Sequence, residues 1–144
     1  MRCSVIIVAA GSGIRLKMDA PKAFVPMGGK PLLHYSLGAI AALQRIDEAI
    51  VTVPPGMERR ARAEVDRAGL EIPVKLVAGG AERQDSVRIA LGLTSAESEV
   101  VVVHDAARPL APARLFERAL EQLERSGADA VIAAAPVSDT IKEV

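Results

Sequence analysis

The chain has 144 residues, half of them hydrophobic, yet only 2% aromatic and with no Trp. That length suits one domain with a core that needs no metal or disulfide. The scarcity of aromatics favours a parallel sheet of Val, Ile, Leu and Ala between helices over an aromatic-rich antiparallel sandwich. Eighteen basic residues balance eighteen acidic ones, so overall charge draws the chain to neither nucleic acid nor membrane. A single Cys excludes an internal disulfide and a Cys-rich zinc site, and no apolar run reaches the roughly 18 residues of a transmembrane helix.

The first segment, Met1 to Ala10, has a basic residue and an apolar run, the outline of a secretion signal. Its β-branched residues run into Gly11-Ser12-Gly13, which reads better as a buried strand entering a glycine turn. Pro31 to Leu43 follows as a helix with Leu33, Leu37, Ile40 and Ala41 on one face. Then come a strand at Ala49–Val53, a charged helix at Gly56–Ala68 with a Met57, Ala61, Val65, Ala68 stripe, and a strand at Val74–Ala78. A helix at Arg83–Leu93, a strand at Val100–His104, a helix at Pro112–Arg125 ended by Gly127, and a fifth strand at Ala130–Ala135 complete the series. Strands alternating with helices imply right-handed crossovers and a parallel sheet. Such sheets bind ligands beyond the carboxyl ends of their strands, so the loops after strands are the ones to read.

The loop after the first strand, Ala9-Ala10-Gly11-Ser12-Gly13-Ile14-Arg15, combines a glycine turn with cations. Leu16 stands where a dinucleotide fingerprint has its third glycine, and no Walker A pattern fits. The first thirty residues hold Arg2, Arg15, Lys17, Lys22 and Lys30 against Asp19 alone. Backbone N–H groups and clustered cations at a strand end suit a polyphosphate; a merely solvated basic loop is the weaker reading. Gly79-Gly80 opens the loop before Ser86. It can lie against a flat base, with Ser86 reading a base carbonyl, or be a plain turn with Ser86 bonding locally; both readings stand. His104-Asp105-Ala106-Ala107-Arg108-Pro109 ends the fourth strand. Asp105 is the best candidate ligand for a divalent cation and Arg108 for a phosphate, against a structural Asp105–Arg108 pair. His104 reads as an orienting or packed residue rather than a base. Asp139 and Thr140, after the fifth strand, could bind a polyol or phosphate or form an ordinary turn.

Together these blocks, with Pro21-Lys22, resemble the sugar-phosphate nucleotidyltransferases, and more narrowly the 2-C-methyl-D-erythritol 4-phosphate cytidylyltransferase family, from Ser4 to Lys142. The resemblance implies an α/β, three-layer Rossmann-like nucleotidyltransferase fold with a mostly parallel sheet. It implies a cytoplasmic enzyme of isoprenoid synthesis, a homodimer at full length, without nucleic-acid or membrane partners. Its reaction joins CTP to methylerythritol 4-phosphate with Mg²⁺. By the same resemblance, Arg15 and Lys22 stabilise the transition state, and Ala9, Ala10, Gly11, Ser12 and Gly13 wrap the triphosphate. Gly80, Arg83 and Ser86 serve the cytidine region, Asp105 binds Mg²⁺ and Ala106 lies by the ribose. Arg108, Asp139 and Thr140 face the second substrate.

Two local departures are Leu16, where members often carry Met, and Ala23-Phe24, where many carry Gln. The chain ends at Val144, before the family's projecting arm and a final segment bearing another catalytic lysine. The expectation is therefore a single, C-terminally incomplete nucleotide-binding domain. The competing readings are a ribitol-5-phosphate-type cytidylyltransferase and a noncatalytic nucleotide-binding module. A nicotinamide dehydrogenase comes last, for want of the third glycine.

Overall fold

A computed structural model describes residues 1–13 and 20–136. Two compact units are distinguished, Met1–Ala113 and Arg114–Val144.

The first unit runs β1 (Cys3–Val8), a 3-10 turn (Lys22–Phe24), β2 (Pro26–Met27), β3 (Lys30–Pro31) and α1 (Leu32–Ala41). It continues with β4 (Glu48–Val53), α2 (Glu58–Ala68), β5 (Val74–Ala78), α3 (Arg83–Leu91) and β6 (Val100–Asp105). Four strands form one sheet in the order β5-β4-β1-β6, and every pairing is parallel, with Ile6 opposite both Ile50 and Val103. Four of the five apolar strands expected from the sequence are these four. Val5, Ile6, Ile7, Ile50, Val51 and Val53 are fully buried, each contributing about 1.5–3 kcal/mol by leaving water. Alternation sends Ile6 and Ile50 to the face where Ala90 of α3 packs, and Val5, Ile7 and Val51 to the other. On α1 the buried stripe is Leu33, Leu37 and Ile40, while Ala41 of the expected face is exposed.

From β1 the chain builds outward through β4 to β5, then crosses back to place β6 on the other side of β1. The carboxyl ends of β1 and β6 thus diverge at the switch in strand order, where open parallel sheets bind ligands. The β2–β3 hairpin was not expected. Gly28 and Gly29, at φ 58° and 84°, form its tight turn, and a Gly-Gly pair between short extended stretches is the signal for it.

The second unit is built on α4 (Ala113–Ser126). Phe116 and Leu120 are its buried residues, and Gly127 at φ 62° ends the helix as expected. The expected strand at Ala130–Ala135 is absent: those residues are irregular and mostly exposed, Ile132 at 84%. The segment has four alanines, which form strands poorly. A strand also exists only where a ladder partner satisfies its backbone, and among the described residues this segment has none.

Candidate active site

Where β1 and β6 part, the first unit contains a cleft of about 630 Å³. Ala9, Ala10, Gly11, Ser12, Lys22, Gly80, Arg83, Ser86, Asp105, Ala106 and Arg108 all line it. Three loops, each following a strand, bring these residues together from distant parts of the chain. Arg15, Asp139 and Thr140 lie outside the described residues.

The first wall is the loop after β1. The Ala9 N–H donates to the Thr52 carbonyl at 2.9 Å, so the loop leaves the sheet in register. Gly13 has φ 70°, and a Cβ there would lie 2.9 Å from the Lys22 Cβ. Only glycine combines that backbone with so close an approach. The Lys22 N–H donates to the Gly11 carbonyl at 3.3 Å, and Phe24 N–H to the Pro21 carbonyl at 2.8 Å. Extended Pro21 thus starts the turn that carries Lys22, while buried Ala23 and Phe24 anchor it. The Arg60 guanidinium lies 5.1 Å over the Phe24 ring, an arrangement favoured by the ring quadrupole.

The second wall is the loop after β5. A Cβ on Gly79 would come 2.2 Å from the Ala10 Cβ and 2.6 Å from the Ser86 Oγ, so this glycine lets the two loops touch. Glu82 and Asp85 form a capping box at the start of α3, which satisfies helix N–H groups otherwise left open. Buried Ser86 accepts from the Gly80 N–H at 3.1 Å and donates to the Glu82 carbonyl at 3.3 Å. Its hydroxyl has the local role weighed from the sequence. A base carbonyl could take its proton only in exchange for that of Glu82.

The third wall begins at Asp105, the last residue of β6. The Ala106 N–H donates to the Val8 carbonyl at 3.0 Å, tying this loop to β1. The Asp105 carboxylate meets two guanidiniums: Arg83 Nε at 2.8 Å on Oδ1 and Arg108 Nε at 3.6 Å on Oδ2. The Arg108 pair is the structural alternative that the sequence offers; the shorter pair is with Arg83, 22 positions away in the chain. Lys22, Arg83 and Arg108 face two carboxylates, Glu82 and Asp105, around the cleft, a net positive lining suited to a polyanion.

Behind this wall His104 is buried, with Nε2 hydrogen-bonded to the Ser36 Oγ of α1 at 3.1 Å. Burial lowers its pKa against the pull of Asp105, and Arg108 lowers it further, so the imidazole is neutral at pH 7. Ser36 carries no sequence signal, because its partner is 68 residues away. Among the described residues no group of three His, Cys, Asp or Glu could enclose a metal ion. Asp105 nevertheless fits Mg²⁺, which is commonly held by one or two carboxylates together with substrate phosphates.

The family model described as 2-C-methyl-D-erythritol 4-phosphate cytidylyltransferase matches residues 3–144. The chain belongs to that family. It is 42% identical over 146 residues to the 2-C-methyl-D-erythritol 4-phosphate cytidylyltransferase of Corynebacterium diphtheriae, covering 99% of this chain and 59% of the relative. To the bifunctional enzyme IspD/IspF of Anaeromyxobacter dehalogenans it is 46% identical over 137 residues, covering 95% and 33%. The crystal structure of 4-diphosphocytidyl-2C-methyl-D-erythritol synthase from Anaerococcus prevotii superposes with a TM-score of 0.85 at 29% identity, covering 99% and 58%. The chain therefore spans between a third and about three-fifths of the length of these relatives. No helix among the described residues is long and apolar enough to cross a membrane.

Proposed function

We propose that this chain carries the nucleotide-binding part of a cytidylyltransferase that joins CTP to 2-C-methyl-D-erythritol 4-phosphate. The observation that carries this reading is the convergence of three post-strand loops on one net-positive cleft at the sheet's switch point. A phosphate oxygen of the second substrate attacks the α-phosphorus of CTP. A new P–O bond forms, the bond to the bridging oxygen breaks, and pyrophosphate leaves, giving 4-diphosphocytidyl-2-C-methyl-D-erythritol. Two anions must meet and charge spreads over the phosphoryl oxygens, so positioning and electrostatic stabilisation supply most of the catalysis.

In this reading the backbone from Ala9 to Gly13 cradles the triphosphate, and Lys22, with Arg15, neutralises the developing charge. Gly80, Arg83 and Ser86 hold the cytidine region, and Ala106 lies by the ribose. Asp105 would hold Mg²⁺, which when bound neutralises phosphate charge. Arg108, Asp139 and Thr140 receive the second substrate. By the same family reading, the active enzyme is a cytoplasmic homodimer with no nucleic-acid or membrane partner.

The test is pyrophosphate release with CTP, Mg²⁺ and either methylerythritol 4-phosphate or ribitol 5-phosphate. Turnover that strongly favours methylerythritol 4-phosphate is expected. Equal or faster turnover with ribitol 5-phosphate would reassign the substrate. CTP binding without turnover on either would reduce the protein to a binding module.

A further inference from the structure

Asp105 is the strand-end carboxylate of the cleft, yet both its oxygens face guanidiniums. Its side chain is 26% exposed, whereas those of Arg83 and Arg108 are 59% and 78% exposed. Pairs between groups this wet are weak, so the carboxylate is covered but not locked. Arg83 is also oddly placed for stability alone. It is the first residue of α3, where the helix dipole disfavours a cation, and its Nε reaches a residue 22 positions away. A local rule broken at the rim of a cleft suggests a functional site.

We propose that Arg83 masks Asp105 against free divalent cations and gives it up when an anionic nucleotide enters. The nucleotide half of this statement rests on the function proposed above; the masking half does not. With Arg83 and Arg108 in place, two positive charges surround one negative charge, and a lone divalent cation meets repulsion there. A polyphosphate reverses the balance, because it draws the guanidinium forks away and brings oxygens of its own to complete the cation's coordination. The cation then enters with the nucleotide and not before it.

The experiment is a Mn²⁺ titration without nucleotide, following free Mn²⁺ by electron paramagnetic resonance. Arg83→Gln removes the charge from a well-exposed position and leaves the Glu82–Asp85 capping box intact. Its Mn²⁺ affinity is expected to rise by about threefold to tenfold over the unmutated protein. Arg83→Lys, which keeps the charge but loses the planar fork, should gain less. Adding Asp105→Asn to Arg83→Gln should abolish the gain. A purely structural ion pair would give unchanged or weaker binding in Arg83→Gln, and that result overturns the proposal, as does a gain that survives Asp105→Asn. A parallel titration of the unmutated protein with CTP and Mn²⁺ separates the two readings. No CTP binding there, beside a gain in the metal arm, would sink the proposed function while the masking role stands.

Discussion

Two carboxylates sit at opposite ends of the same parallel sheet, and cations hold both. Glu48, at the start of β4, is 7% exposed. It accepts hydrogen bonds from the Ser4 Oγ at 2.7 Å, the Ser95 N–H at 2.5 Å and the Lys75 Nζ at 3.0 Å, and Ser4 is bonded in turn to Ser98. Burial alone would push its carboxyl up, but the bonds from Ser4, Ser95 and Lys75 outweigh it and hold the pKa below the ordinary 4.5. Among the described residues Asp105, at the end of β6, faces two wet guanidiniums and a cleft. The same ionic chemistry anchors where donors saturate a dry carboxylate, and is weak where the partners are largely exposed to water. At the amino end of the sheet the carboxylate is buried and its bonds are filled; at the carboxyl end it is paired with exposed cations at the rim of a cleft.

That contrast can be broken by mutation. The largest effect belongs to the cleft: Lys22→Ala should lower kcat/KM by about 10²–10³-fold with little change in Tm. A comparable loss of Tm would make Lys22 structural. Next comes the amino end. Glu48→Ala, by removing a carboxylate that three donors share, should cost about 2–3 kcal/mol of stability in urea unfolding and leave CTP affinity intact. Gly79→Ala tests where two walls of the cleft meet. Its new methyl would collide with Ala10 and Ser86, so a loss of about 1–3 kcal/mol together with weaker CTP binding is expected; stability loss without any change in binding would separate that loop from the site.

The smallest effect is in pH dependence. Because the Glu48 pKa is lowered in the folded state, the unfolded chain takes up that proton first as pH falls. The stability from Glu48 is thus fully present above its ordinary 4.5 and drains away as pH drops from there through the folded value. Glu48→Gln should flatten that part of the acid limb in pH-dependent unfolding.

Much of this was legible in the chain itself. Val5, Ile6 and Ile7, and Ile50, Val51 and Val53, announce buried parallel strands because a strand covered on both faces is apolar at every position. The loops that line the cleft were legible for the complementary reason: glycines and charges interrupt those runs at the strand ends. Ala130–Ala135 misled because an apolar run is necessary for a strand but a ladder partner is also required. The two-residue strands beside Gly28-Gly29 were too short to carry a period. The links between walls were not legible either. Arg83 meets Asp105, and Ser36 meets His104, only because crossovers bring distant segments together, and no local spacing encodes such a pair.

The most direct measurement is calorimetric titration with CTP in Mg²⁺ of the unmutated protein, Lys22→Ala and Glu48→Gln. One saturable site is predicted, much weakened in Lys22→Ala and retained in Glu48→Gln after allowance for any unfolded fraction. No binding to the unmutated protein, or equal loss in both variants, would contradict the assignment of nucleotide chemistry to the carboxyl end and anchorage to the amino end.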